Sequence, residues 1–363
     1  MLIIGNEELQ QHFTMDMCLE ALEETYDHLL GRQAGYRPRI DLFAPCDRSD
    51  AYYRWGTMEG ADAQKGYFAI RMKSDILHWT AAKTEEKYCV EPGTYCGLIL
   101  LFSTRNGEPL AILNDGYIQH LRVGACAGLG AKYLSRPDST VVGIIGSGGM
   151  AKTFLEAFCK VRNITQARVY SLTRSNLQTY CDNMTRSLGI PVVAVDTAEQ
   201  VFQETDIVAT CTDSYRPVFD PAWLAPGQHF TNVGTSEIDY QNVVNRSDVV
   251  VKLGDSSLNP NVDIGAGIKF RGPYASVFVG TPEQLQLIPL KGKVDMASHP
   301  HLVDIIAGRA CGRTDDNQKT FFINEGTQGL QFVSAAGKAY EIAKAKGLGR
   351  EIPTEWFLQN IRD

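Results

Sequence analysis

The sequence contains no apolar run approaching the roughly 18 to 20 residues that a membrane helix needs, so no transmembrane span is expected. Its nine cysteines include no Cys-x-x-Cys pair, which argues against paired zinc ligands and against a disulfide framework. His299 and His301 stand two apart and could be imagined as metal ligands, but no acidic or thiol partner sits close by in sequence, and no metal is expected. No lysine- or arginine-rich run is present and the formal net charge is -7, so nucleic acid and anionic membrane are not expected as partners; both attract proteins through a clustered positive field. Met1-Leu-Ile-Ile-Gly-Asn carries no basic segment followed by a long apolar one, so no secretory signal is expected. With the scattered cysteines, this points to a reducing cytoplasm. Internal repeats and low-complexity tracts are also missing.

What is present is a balanced globular composition, 44% hydrophobic and 21% charged over 363 residues, enough for two cored domains. Residues 9–30 carry apolar side chains at helical spacing, with Gly31 as a stop. Gly66-Tyr-Phe-Ala-Ile-Arg-Met-Lys73 alternates like a strand, with Phe68, Ile70 and Met72 on one face and Ala69, Arg71 and Lys73 on the other. Residues 96–102 and 109–113 read as a hairpin about Arg105-Asn-Gly-Glu, and Asp115 is placed to cap a helix over 117–134 rich in glycine and alanine. After Pro137 the rhythm changes. Short apolar runs at 141–145, 167–172, 192–195, 207–210, 230–233 and 249–251 alternate with helical stretches, the signature of a doubly wound parallel sheet. The expected fold is therefore α/β. A Rossmann dinucleotide-binding domain spans 136–319, and an α+β substrate and dimerisation domain spans 1–135, completed by 320–363 with a closing helix over about 330–346.

The sharpest motif is Val141-Val-Gly-Ile-Ile-Gly146-Ser147-Gly148-Gly149-Met150-Ala151, a strand, then Gly-x-Gly-x-x-Ala, then a helix. Gly146 permits the tight turn, Gly148 lets the backbone approach a pyrophosphate, and Ala151 keeps helix and strand close. The helix N-terminus adds amide donors and a positive dipole. A single glycine motif is weak evidence, but the strand–helix units that follow give it the context it needs. An NAD-binding domain commonly places Asp or Glu about 20 residues beyond the loop, on the ribose hydroxyls. Here the second strand ends in Ser171-Leu-Thr173-Arg174-Ser175, with no carboxylate and with a guanidinium suited to a 2′-phosphate. NADP(H) is expected ahead of NAD(H).

These residues and others in order along the chain resemble the ornithine cyclodeaminase/mu-crystallin family, including its ketimine reductases and amino-acid dehydrogenases. The resemblance covers nearly the whole chain. It is carried by Arg37-Pro-Arg39, the Lys73 strand, Asn114-Asp-Gly-Tyr-Ile-Gln-His-Leu-Arg122-Val-Gly-Ala and the glycine loop. Further on come Asp206-Ile-Val-Ala-Thr-Cys-Thr212-Asp-Ser214 with Pro217, and Val233-Gly234-Thr-Ser236. It implies a homodimer paired through the sheets of the N-terminal domains, and an active site between the two domains of one subunit. It also implies Arg39 and Arg122 as carboxylate-binding arginines and Lys73 as the active-site lysine. Elementary chemistry is consistent with these roles: a guanidinium fork holds a carboxylate bidentately, and a desolvated lysine near two arginines has a lowered pKa suited to exchanging a proton with an amine or imine.

The resemblance thus implies hydride transfer between NAD(P)H and a C=N carbon next to a carboxylate, on a small imine or amino acid. Thr212, Ser214, Val233 and Gly234 would seat the nicotinamide side. Two departures bear on this. Ornithine cyclodeaminases carry a catalytic aspartate shortly after the glycine of the fifth strand, whereas this chain reads Gly234-Thr-Ser236-Glu237-Ile-Asp239, which puts ornithine cyclisation in doubt. Residues 46–66, holding Tyr52, Tyr53, Trp55 and Met58, exceed the family's shorter members and either shape the pocket or thicken the dimer contact. The rival readings are an amino-acid cyclodeaminase using NAD catalytically and a non-catalytic NADPH-binding protein on the mu-crystallin pattern.

Overall fold

The computed structural model describes residues 1–79, 85–255, 268–271, 274–288 and 298–362. Among these, two sheets organise the chain. The first is a seven-stranded, wholly parallel sheet in the order Val192–Ala194, Gln166–Tyr170, Val141–Ile145, Ile207–Thr210, His229–Asn232, Thr320–Ile323, Val249–Lys252. Three of its inner strands, Ile207–Thr210, His229–Asn232 and Thr320–Ile323, are buried at every position, as a parallel sheet covered on both faces requires. The strand order reverses between Val141–Ile145 and Ile207–Thr210. That switch point opens a crevice at the carboxyl ends of the strands, where ligands bind in this class of fold.

The second sheet is mixed and has eleven strands among the described residues. Its centre is Ala51–Asp62 and Tyr67–Trp79, paired over twelve registered positions and flanked by Ile40–Pro45 and Cys96–Ser103. The helices Met15–Leu30 and Gln328–Lys346 pack on its inner face, the latter so closely that a Cβ at Gly60 would lie 2.3 Å from the Gly329 carbonyl. The small residues of helix Gly116–Leu134 let it pack directly on helix Gly149–Val161, which follows the glycine loop, so one helix bridges the two sheets.

Several expectations are corrected. Residues 268–271 and 274–278, assigned from sequence to the nucleotide domain, extend the mixed sheet: 274–278 pairs in parallel with Ile40–Pro45, and 268–271 pairs antiparallel with 274–278. Thr320–Ile323, assigned to the closing segment, is a strand of the parallel sheet inserted between His229–Asn232 and Val249–Lys252. A four-residue apolar run does not declare its sheet from sequence. The helix read over 9–30 is two helices, Asn6–Gln10 and Met15–Leu30, separated where the Thr14 hydroxyl accepts from the Met17 N–H (3.4 Å) to cap the second. Asp115 sits at the N-cap position of Gly116–Leu134 but makes no side-chain cap; its carboxylate is turned to Arg71 instead.

The alternation along Tyr67–Trp79 is buried on its polar side. Ala69, Arg71, Lys73, Asp75 and Leu77 face inward, while Phe68, Ile70, Met72 and Ile76 are half-buried on the outer face. Cross-strand register continues that outer face in apolar rows: Ile40, Thr57, Met72 and Leu98 in one, Ile3, Ile112, Leu100 and Ile70 in another. Residues 46–66 contribute the central strand Ala51–Asp62, whose alternation turns Arg54 and Met58 inward and leaves Tyr53 and Trp55 on the outer face.

Candidate active site

A cavity of about 300 Å³ lies between the two sheets. Arg39, Arg54, Arg71 and Lys73 enter it from the mixed sheet and Arg122 from the bridging helix; Met150, Val233 and Gly234 line it from the nucleotide-binding side. Arg39, Lys73 and Arg122, drawn from three separate segments of sequence, therefore converge on one space.

Register explains the arrangement. Asp41, Gly56 and Lys73 lie opposite one another on three adjacent strands, all facing inward. Gly56 has no side chain, so Asp41 and Lys73 meet above it, Nζ to Oδ2 at 3.6 Å. A Cβ at Gly56 would stand 2.4 Å from Asp41 Oδ1 and 2.7 Å from Lys73 Cε. Asp41 also accepts two bonds from Arg39, Nε to Oδ1 at 2.8 Å and Nη2 to Oδ2 at 2.6 Å, which fixes the plane of that guanidinium. One row further along the strands, Arg54 pairs with Asp75. In the row on the other side, Arg71 donates from Nε to Asp115 (2.6 Å) and from Nη2 to the Tyr95 hydroxyl (2.9 Å). Arg122 donates to Gln119 (2.7 Å) and to Gln331, and its guanidinium lies 4.6 Å from the centroid of the Phe332 ring.

Lys73 is 4% exposed. Burial, then the charges of Arg39 and Arg54, hold its pKa well below the ordinary lysine value against the opposing pull of Asp41 and Asp75. Burial alone would raise Asp41, but the Arg39 and Lys73 charges outweigh it and keep the carboxyl ionised below the usual carboxylate range. The cavity thus offers an ionised carboxylate, several fixed guanidinium groups and one amine poised to change protonation state. Replacing Gly56 by alanine is expected to force Asp41 and Lys73 apart and to lower turnover by about 10- to 100-fold, as misplacement of an acid–base group by about 1 Å does, with the circular dichroism spectrum retained. Turnover within a factor of two of the parent would contradict this geometry.

On the nucleotide-binding side, Gly146 follows strand Val141–Ile145 with φ +117°, and a Cβ there would lie 2.4 Å from the Cys211 carbonyl. Gly148 caps helix Gly149–Val161 and has open space where a side chain would stand. A turn only glycine can make, a clear backbone approach and a helix N-terminus together fit a dinucleotide pyrophosphate. Ser147, Gly149 and Ala151 complete this loop and the first turn of its helix. Thr173 is the N-cap and Arg174 and Ser175 the first residues of helix Arg174–Leu188, at the tip of the neighbouring strand. Arg174 is mostly exposed and pairs with Asp196 (3.2 Å). Thr212 and Ser214 follow strand Ile207–Thr210 and stand outside the cavity lining, whereas Met150, Val233 and Gly234 are part of it.

Sequence reasoning missed Asp41, Arg54, Arg71 and Glu237. The last is fully buried and accepts from the N–H and hydroxyl of Thr212 (2.7 and 2.6 Å) and from the N–H groups of Val233 and Gly234 (both 3.1 Å). One carboxylate thereby ties together the loops that follow strands Ile207–Thr210 and His229–Asn232. Asp239 caps helix Tyr240–Arg246 by accepting from the Asn242 N–H (3.3 Å), so its position is structural. His301 approaches Asp255 at 3.4 Å, and no group of three or more potential metal ligands occurs among the described residues. Nor is any described helix long and apolar enough to cross a membrane.

The sequence pattern of the ornithine cyclodeaminase/mu-crystallin family matches residues 76–347. The chain belongs to that family. A Delta(1)-pyrroline-2-carboxylate reductase of Bacillus cereus is 28% identical over 266 residues, covering 71% of this chain and 74% of the relative. An alanine dehydrogenase of Archaeoglobus fulgidus is 25% identical over 364 residues, 97% of this chain and 98% of the relative. Among solved structures, Thermococcus litoralis Delta(1)-pyrroline-2-carboxylate reductase in complex with NADH and L-proline superposes with a TM-score of 0.74 at 25% identity, covering 97% of this chain and all of that one (100%).

Proposed function

We propose that this protein is a nicotinamide-dependent oxidoreductase that reduces a C=N bond next to a carboxylate, or oxidises the corresponding amine: an imino-acid or ketimine reductase or an amino-acid dehydrogenase. The observation that carries the reading is Lys73, buried in a cavity that Arg39 and Arg122 share with Met150, Val233 and Gly234. Relatives named for pyrroline-2-carboxylate reduction and for alanine dehydrogenation support the same chemistry. Arg39 and Arg122 hold the substrate carboxylate, and Lys73 delivers a proton to the imine nitrogen or removes one from the amine. The amides of residues 146–151 hold the pyrophosphate, residues 173–175 the adenosine ribose, and Thr212, Ser214, Val233 and Gly234 the nicotinamide side. The bound dinucleotide supplies or accepts the hydride. Fixing the carboxylate aligns the acceptor carbon, an orientation effect worth several kcal/mol.

The cyclodeaminase alternative calls for a carboxylate beyond Gly234 aimed at the substrate amines. Asp239 is engaged in capping a helix and Glu237 in holding backbone amides, which favours the reductase. A panel of pyrroline- and piperideine-carboxylate, and of 2-oxo acids with ammonia or methylamine, tests the assignment at 340 nm with each cofactor. Failure of the whole panel to oxidise either cofactor would overturn it, and ammonia release without net absorbance change would assign the cyclodeaminase.

Arg174 at the ribose position, with no acidic residue in 171–175, supports preference for NADP(H). Replacing Arg174 by glutamine is expected to raise KM for NADPH about 10- to 100-fold, the loss of one or two charge-assisted bonds, and KM for NADH less than threefold; equal effects would refute the preference. The outer face of the mixed sheet, with Leu98, Trp55 and Leu42 each 36% exposed on it, supports pairing with a second copy of the chain. Sedimentation should give twice the 40.1 kDa chain mass, and a monomer at micromolar concentration would exclude this dimer.

A further inference from the structure

Strand Tyr67–Trp79 carries two neighbours laid end to end along one edge, Glu85–Tyr88 and Cys96–Ser103. Tyr88 lies opposite Ile76 and Cys96 opposite Ser74, so only the position of Asp75 separates the point where the chain leaves the sheet from the point where it returns. Cys89 is the first residue out and Cys96 the first residue back. Two strand positions, roughly 6.8 Å, separate Tyr88 from Cys96 along the edge, and the Cys89 side chain that follows Tyr88 lies within hydrogen-bond reach of the Cys96 sulfur. The excursion is tight. The Cys89 N–H donates to the Thr94 carbonyl (3.0 Å), the Thr94 N–H to that of Glu91 (3.1 Å), and Val90 holds φ 70°, a left-handed conformation that β-branched residues rarely adopt. Both cysteines are partly exposed. Burial, then the adjacent Cys89 sulfur with which it hydrogen-bonds, holds the Cys96 thiol above its ordinary pKa. Tyr95, between them, carries its hydroxyl to Arg71 (2.9 Å) and lines the cavity.

We propose that Cys89 and Cys96 are a redox-active dithiol that closes to an intramolecular disulfide, stapling the base of the loop that presents Tyr95 to the active-site cavity. With hydrogen peroxide as oxidant, the two thiols give up two electrons and two protons, a sulfur–sulfur bond forms, and the peroxide oxygen–oxygen bond breaks to yield two waters. A small dithiol reductant reverses the reaction. The site is independent of the substrate assigned above.

The test uses the full chain, reduced, exposed to a few equivalents of peroxide, alkylated after denaturation and digested with trypsin without reduction. Residues 88–105 form one tryptic peptide holding both cysteines. Alkylatable thiols should fall from nine to seven, with the peptide appearing unalkylated and about two mass units lighter than its dithiol form, and dithiothreitol should restore it. Cys89→Ser and Cys96→Ser should each abolish the bridged species. The proposal is overturned if both sulfurs remain alkylatable while the exposed Cys311 oxidises, or if oxidation stops at a sulfinic acid on either residue.

Discussion

Replacing Lys73 by alanine is expected to lower kcat by about 10²- to 10⁴-fold, the usual contribution of a positioned general acid or base, while the affinity for NAD(P)H changes less than threefold. Lys73 lines the same cavity as Met150, Val233 and Gly234 but comes from the mixed sheet; in the proposed mechanism it would transfer a proton without holding the dinucleotide. The pH profile makes the prediction sharper. Burial and the neighbouring Arg39 and Arg54 charges lower the Lys73 pKa. Imine reduction needs the protonated amine and should therefore decline as pH rises through that lowered value, while amine oxidation, which needs the free base, should rise over the same interval. In Lys73→Ala this limb should vanish. The same shift has a consequence for stability. Between the lowered pKa and the ordinary lysine value the unfolded chain binds the proton that the folded chain has released, so stability should rise with pH there, and Lys73→Met should flatten that slope. A kcat within threefold of the parent would remove Lys73 from the mechanism.

Replacing Arg122 by leucine is expected to lower kcat/KM by about 10²- to 10⁴-fold, the loss of two charge-assisted hydrogen bonds at about 1.5–3 kcal/mol each. Arg122 is 7% exposed, held by Gln119 and Gln331 and stacked over Phe332, so its fork is fixed before substrate arrives. Because the carboxylate grip also aims the reacting carbon, kcat should fall along with the rise in KM. Lysine at this position should recover little, since a point charge cannot reproduce the planar fork. Gln331 would be left with a buried acceptor, so the melting temperature should drop as well. Full recovery by lysine, or an effect confined to melting temperature, would assign Arg122 a structural role only.

Much of this was legible from residue order. The strand, glycine turn and helix of 141–151 are local features whose chemistry is set within a dozen residues, and the structure has them at the switch point of a parallel sheet. The surroundings of Lys73 were not legible, because they are made by register. Asp41 and Arg54 reach it only when Ile40–Pro45, Ala51–Asp62 and Tyr67–Trp79 pair in one alignment, and Gly56 matters only there. Alternation along 66–73 was read correctly, but the more apolar face proved to be the outer one. The inner face buries charges because Asp41, Asp75 and Asp115 compensate them, a solution that hydrophobicity alone does not announce. Glu237 was hidden for a related reason: a glutamate near a glycine turn reads as surface until the amides it accepts from are folded around it.

That three cationic side chains from separate segments present a carboxylate-bearing C=N group to a nicotinamide ring can be followed by isotope. Incubated with pyrroline-2-carboxylate and with 2-oxo acids plus ammonia, in the presence of reduced nicotinamide dinucleotide deuterated at C4 on the transferred face, the protein should yield at least one amino acid bearing deuterium at its α-carbon, one mass unit heavier than with unlabelled cofactor. Amino acid formed without the label, or no labelled product from any of these substrates with either dinucleotide, would contradict it.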